Sequence, residues 1–168
     1  PPSFGMYPFS TAVNSGQYVP VRRKGDFSLD VAGIETAVHA HNAKILILCS
    51  PNNPDGSTIN DATLRRLLKL PVLVLLDEAY ADFAELDGYR SHLDWTLEFE
   101  NLAVLRTFSK LAGLAGLRVG YGAFPQWLLP HMWKIKQPYN VNVAASVAAL
   151  ASLQDREWLR EKVALIVQ

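Results

Sequence analysis

Two runs, Lys44-Ile-Leu-Ile-Leu-Cys49 and Val72-Leu-Val-Leu-Leu-Asp77, are apolar at nearly every position. Such runs fit strands buried on both faces, as the inner strands of a parallel sheet are. Between them, Asp61-Ala-Thr-Leu-Arg-Arg-Leu-Leu-Lys-Leu70 carries Leu64, Leu67 and Leu68 at helical spacing, with Asn60 or Asp61 as its N-cap. Strand, helix and strand in this order make a βαβ crossover. The same alternation runs through the chain, with strands predicted over 17–21, 44–49, 72–77, 102–107 and 119–123 and further helices over 29–40, 126–136 and 143–153. An amphipathic helical pattern occupies 158–168. The expected fold is α/β, a mostly parallel sheet with helices on both faces in three layers.

No repeat, low-complexity stretch or Gly/Ser linker interrupts the 168 residues, a length that suits one domain. Sixteen basic and sixteen acidic residues give a formal net charge of zero, which leaves no global field to gather nucleic acid or an anionic membrane. No apolar run approaches the roughly 20 residues that span a bilayer, and the start lacks a secretory signal pattern. The chain therefore reads as soluble. Its one cysteine, Cys49, cannot close an internal disulfide, which suits a reducing compartment, and reads as a small buried hydrophobe. The absence of an initial methionine and the helical pattern at the other end are expected of a piece of a longer protein, with any targeting segment upstream.

Polar residues cluster just after the strand ends, where ligands bind in open α/β sheets. Asp77 ends a strand expected to be buried, so its carboxylate needs a cationic or hydrogen-bonding partner. A protonated pyridine nitrogen is one such partner; an N-cap or a metal-ligand role is the plainer alternative. Tyr80 lies three residues further on, within reach of the same ligand. The next strand runs into Thr107-Phe108-Ser109-Lys110, two hydroxyls and an amine, with Arg118 eight residues beyond Lys110. A desolvated lysine at a strand end can attack an aldehyde, and a guanidinium beside two hydroxyls can hold a phosphate. A solvated surface lysine and glycines that mark only turns are the plainer account. In Ser50-Pro-Asn-Asn53-Pro-Asp-Gly56, an amide held between prolines can hydrogen-bond a phenolic oxygen, or the segment is only a turn. It lacks the glycine and lysine pattern of a nucleotide phosphate loop.

Taken in order, Ser-Pro-Asn-Asn-Pro-Asp-Gly (50–56), Asp-Glu-Ala-Tyr (77–80), Thr-Phe-Ser-Lys (107–110) and Gly-Leu-Arg-Val-Gly-Tyr (116–121) resemble the motif series of fold-type I pyridoxal-phosphate (PLP) aminotransferases. Pro2-Ser-Phe-Gly-Met-Tyr7, Leu105-Arg-Thr-Phe-Ser-Lys110 and Gln137-Pro-Tyr-Asn140 narrow the resemblance to the histidinol-phosphate aminotransferase family, in wording close to plant and algal forms. The likeness spans nearly the whole chain. It implies that Lys110 holds pyridoxal 5'-phosphate through its amine and shuttles a proton, while Asp77 pairs with the pyridinium nitrogen. Asn53 and Tyr80 are then donors to the cofactor's phenolic oxygen, and Thr107, Ser109 and Arg118 hold its phosphate. Phe4 is the residue stacked on the ring, at a position where the family often carries tyrosine.

The resemblance also implies that the chain is an incomplete PLP-binding large domain over 1–168. It lacks an upstream glycine-containing loop of the phosphate cup and a downstream small domain that grips the substrate carboxylate, so this segment alone is expected to bind PLP weakly or to lack turnover. The implied reaction takes an amino donor and a 2-oxoacid acceptor, in a homodimer, with a plastid as the implied location in a plant or alga and the cytoplasm otherwise; from charge and histidine spacing, no metal, nucleic acid or membrane partner is expected. Rival readings on the same motifs are an aromatic amino-acid transaminase, a phospho-amino-acid decarboxylase and the PLP-binding effector domain of a transcription regulator. His39, His41, His92 and His131 are expected in structural or surface roles, and Trp127, Trp133 and Trp158 in packing or subunit contacts.

Overall fold

The computed structural model describes residues 1–167. Four strands form a single sheet in the order β1 (Ile45–Cys49), β2 (Leu73–Asp77), β3 (Leu102–Thr107), β4 (Gly120–Ala123). The first three are parallel and β4 runs antiparallel to β3. This is the mostly parallel α/β sheet with helices that the residue pattern predicts. The reversal at β4 has a simple cause. A parallel return needs a crossover of a dozen or more residues, usually a helix. The segment 108–119 holds only a 3-10 turn, Ala115–Leu117, so the chain folds straight back.

Seven α-helices accompany the sheet: α1 (Met6–Val13), α2 (Val31–Ala40), α3 (Asp61–Leu67), α4 (Ala81–Ala84), α5 (Leu129–Ile135), α6 (Val143–Gln154) and α7 (Arg156–Val167), among the described residues. Asn60 caps α3 by accepting from Thr63 N at 2.9 Å, and Asp30 caps α2 by accepting from Gly33 N at 3.1 Å. Ile34 and Val38 of α2 and Leu64 and Leu67 of α3 pack with Leu48, Val74, Leu76, Leu102 and Val104 of the strands into the main core. Alternate residues on the other face, Leu73 and Leu75, are half-buried. A smaller core joins Phe108 and Val119 to Ala145 and Ala149 of α6.

Two expectations differ from the structure. The segment 17–21 has no regular secondary structure and pairs with no strand among the described residues, since a β-favouring stretch becomes a strand only where an edge receives it. Helix α1 was not foreseen, because Pro8 and the neighbouring aromatics hide its short helical pattern. The predicted helix over 158–168 forms as α7, with Gln168 outside the described residues.

At Gly120 the two antiparallel strands come so close that a Cβ would sit 2.7 Å from the carbonyl oxygen of Arg106. Gly120→Ala is therefore expected to force β3 and β4 apart and destabilise the fold by roughly 1–3 kcal/mol, the usual range for overpacking. The check is a lowered urea midpoint in the full-length protein.

Candidate functional site

Parallel pairing puts Cys49 beside Asp77 and Asp77 beside Leu105, so β1 and β2 end level with one another while β3 runs two residues further, to Thr107, at the same end of the sheet. The following loops leave from that level, fixed by Ser50 N to Asp77 O at 3.0 Å and Glu78 N to Leu105 O at 2.9 Å. Because β4 is antiparallel, its beginning lies at the same end, with Gly120 opposite Thr107. All the polar segments singled out in the sequence are thereby delivered to one rim of the sheet.

Asp77, half-buried, occupies the centre of that rim. Its Oδ1 accepts from Ala79 N at 3.0 Å and its Oδ2 from the Tyr7 hydroxyl at 2.7 Å. Burial, the Cys49 thiol and the charge of Asp77 push the Tyr7 phenol far above its ordinary value, so it remains a donor. Burial likewise raises the Cys49 thiol. Phe4, one turn before Tyr7, meets its ring edge-on at a centroid distance of 5.6 Å and is itself exposed.

A second group assembles beside Asp77. Asn53 Nδ2 donates to Tyr80 Oη at 3.4 Å, and Lys110 Nζ stands 5.0 Å from the centroid of the Tyr80 ring. Lys110 is exposed, with its ammonium over the aromatic face in a cation–π arrangement. Thr107 Oγ1 accepts from Ser109 N at 3.0 Å, which sets the two hydroxyl residues in one tight turn before the lysine. Arg118 is in the left-handed region at φ 54° and its guanidinium donates to Ala115 O at 2.7 Å, not to Thr107 or Ser109. Asn53 and Lys110 thus both meet Tyr80, one at its hydroxyl and one at its ring face, whereas Arg118 is held by its own loop. A cavity of about 360 Å³ adjoins this group, lined by Asn53, Pro54, Tyr80 and Phe83 among others.

Beneath the rim lies a polar cluster that sequence reading missed. Glu78, fully buried, accepts from His92 N at 2.8 Å, from the Ser91 hydroxyl, and faces His92 Nδ1 at 3.1 Å and Arg106 Nη1 at 3.6 Å. The Tyr89 hydroxyl lies 3.0 Å from both Glu78 Oε1 and Ser50 O, with one proton to give. Arg106 also pairs with Asp82, and His92 Nε2 is 3.2 Å from Asp61 Oδ1. Burial works against the charge on Glu78, yet bonds from His92, Ser91 and Tyr89 outweigh it and hold the carboxyl below its ordinary value. The available signal was an acid directly after Asp77 at the end of a buried strand. Its partners are 11 to 28 residues away in sequence, as Tyr89, Ser91, His92 and Arg106, and no periodicity links them.

Among the described residues no group of three or more His, Cys, Asp or Glu is placed to hold a metal ion, and no helix is long and apolar enough to cross a membrane. Trp133 is exposed, Trp158 lies under Lys162, and Trp127 donates its indole N–H to Glu100 O at 2.7 Å.

This rim of amide, carboxylate, phenol and lysine on a mostly parallel sheet defines a member of a large enzyme class: a sequence model of the aminotransferase class I and II family matches residues 1–168, and the chain belongs to that family. More particularly, it is 54% identical over 167 residues to the chloroplastic histidinol-phosphate aminotransferase of Nicotiana plumbaginifolia, covering 99% of this chain and 40% of that protein. It is 50% identical to the histidinol-phosphate aminotransferase of Roseiflexus castenholzii, over 99% of this chain and 44% of the relative. The crystal structure of the Sinorhizobium meliloti histidinol-phosphate aminotransferase in complex with pyridoxal-5'-phosphate superposes with a TM-score of 0.84 at 30% identity, covering 96% of this chain and 44% of that one. The chain spans about 40% of the length of the plant relatives it matches.

His92 carries a pH signature. Burial lowers its pKa, but hydrogen bonds to Glu78 and Asp61 and their charges prevail and raise it above the ordinary 6.5. A raised folded value means that this stabilisation is complete below the unfolded value and is lost as pH climbs through the folded one. The difference in urea midpoint between the parent protein and His92→Gln is expected to be largest near about pH 6 and to shrink above the raised His92 value.

Proposed function

We propose that this chain is part of the PLP-binding large domain of a PLP-dependent transaminase. Its reaction is amino transfer from L-histidinol phosphate to 2-oxoglutarate, giving imidazole acetol phosphate and glutamate, a step of histidine biosynthesis. The observation that carries the proposal is the meeting of Lys110, Tyr80 and Asn53 beside Asp77 at the sheet rim, in a chain 54% identical to a plant histidinol-phosphate aminotransferase. The donor set suits the cofactor. Each oxygen of Asp77 has one partner, so the carboxylate retains lone pairs to accept a cationic ring N–H.

When bound, PLP supplies an electron sink for the charge that develops at the amino-acid Cα. Lys110 provides the amine that holds the cofactor and moves the proton between Cα and C4′. Asp77 keeps the ring nitrogen protonated by offering it a fixed negative partner. Asn53 and Tyr80 donate to the phenolic oxygen, and Phe4 covers the ring face. Thr107 and Ser109 would offer hydroxyls to the phosphate, and Arg118 would exchange the neutral carbonyl of Ala115 for an anionic acceptor. The remainder of the protein completes the phosphate cup and binds the substrate carboxylate. The full-length protein acts as a homodimer, in the plastid where the source is a plant or alga and in the cytoplasm otherwise.

The full-length protein supplied with histidinol phosphate and 2-oxoglutarate is expected to form glutamate. Release of carbon dioxide without glutamate would replace transamination by decarboxylation. With PLP the protein is expected to show a visible absorption band, and borohydride reduction is expected to leave a pyridoxyl mass on the peptide holding Lys110; a label on another lysine removes the assignment. Lys110→Ala should cut kcat by at least about 100-fold, the low end for a lost acid–base group. Sedimentation of an active monomer at micromolar concentration would overturn the dimer.

A further inference from the structure

We infer that Tyr7 is a positioning residue for the cofactor ring: one hydrogen bond from its hydroxyl orients Asp77 and docks over the rim the turn leading into α1, which carries Phe4. The inference rests on the PLP reading above and extends it to a residue to which that reading gives no task.

Helix α1 has no fully buried residue and only Tyr7, Pro8 and Thr11 half-buried, so apolar packing gives it little hold on the sheet. Its other side-chain hydrogen bonds, Thr11 Oγ1 to Tyr7 O and Asn14 Nδ2 to Ser10 O, stay within the helix or its cap. The bond from Tyr7 to Asp77, between residues 70 apart in sequence, ties the helix to the sheet. On the other side of Phe4 a second clasp forms, with Ser3 Oγ donating to Asn52 Oδ1 at 2.8 Å and Asn52 Nδ2 to Pro2 O at 3.2 Å. Asn52 is buried and adjoins Asn53. Phe4 is therefore suspended between two tethers, one at the β1 loop and one at the end of β2, with its ring set against that of Tyr7 at 84°.

The same bond acts on Asp77. With Oδ1 held by Ala79 N and Oδ2 by Tyr7 Oη, the carboxylate plane cannot turn about its terminal torsion without breaking one of them. A hydrogen bond to the charged form also favours that form. The ring nitrogen therefore meets a fixed anion. Without the hydroxyl, Asp77 would be held at Oδ1 alone and α1 would lose its hydrogen bond to the sheet, while the aromatic packing of residue 7 would remain.

The test uses the full-length protein with pyridoxal 5'-phosphate as the probe, comparing the parent, Tyr7→Phe, Asp77→Asn and the double substitution. Apoprotein of each is titrated with PLP, and the absorption band of the bound cofactor is followed against pH. Tyr7→Phe is expected to weaken PLP binding about tenfold, as loss of a hydrogen bond to a charged group predicts, and to shift the pH midpoint of the band. In the Asp77→Asn background the same change is expected to have little further effect. Tyr7→His, which restores a donor, should recover part of the affinity. Unchanged affinity and pH midpoint in Tyr7→Phe overturns the inference, as does an equal loss in both backgrounds, which would make the effect independent of Asp77. Failure of the parent itself to bind PLP overturns the cofactor reading first and this inference with it.

Discussion

Everything at the rim depends on the lateral register of three parallel strands. Cys49, Asp77 and Leu105 stand level, so the loops after β1 and β2 begin side by side, with the last residues of β3 projecting just beyond them at the same end. Main-chain hydrogen bonds set that register, and the apolar residues of Leu48, Val74, Leu76, Leu102 and Val104 lock it, because a slip of one position would turn buried side chains outward. The antiparallel β4 adds a fourth segment to the same end, since its start meets the end of β3.

Asp77 and Glu78 show how neighbouring acids acquire opposite surroundings. Asp77 takes hydrogen bonds on the rim and keeps capacity for a ligand, whereas Glu78 turns into the protein and is saturated by Tyr89, Ser91, His92 and Arg106. A fully buried carboxylate persists only with such partners. Burial opposes the charge of Arg106, but Asp82, Tyr121 and Glu78 raise its pKa, so the ion pair beneath the rim stays charged. Through Tyr89 the cluster also reaches the Ser50 carbonyl, at the root of the loop that carries Asn53. The rim therefore stands on a polar base, with the apolar core on α2 and α3 below it.

The most exposed members of the group, Lys110 and Arg118, have the loosest attachments. One rests over an aromatic face and the other on a carbonyl of its own turn. Neither contact pairs the cation with an opposite charge, as a phosphate would, so each side chain can change partners without disturbing the sheet. Asp77 and Asn53 are placed by strand and loop geometry and have less freedom.

The sequence by itself determined the strands of the central sheet, the crossover helix with its Asn60 cap, and the set Asn53, Asp77, Tyr80, Thr107, Ser109, Lys110 and Arg118 as candidates. These follow from local periodicity and from residue types placed just after apolar runs, and both are readable along the chain. Tertiary structure decided what depends on residues far apart in sequence. It left 17–21 without a strand partner, turned β4 back against β3, surrounded Glu78 with donors from another loop, and brought Tyr7 to Asp77. The reason is that a hydrogen bond between residues 70 apart has no imprint on the spacing of either, whereas a buried strand must be apolar over its whole length.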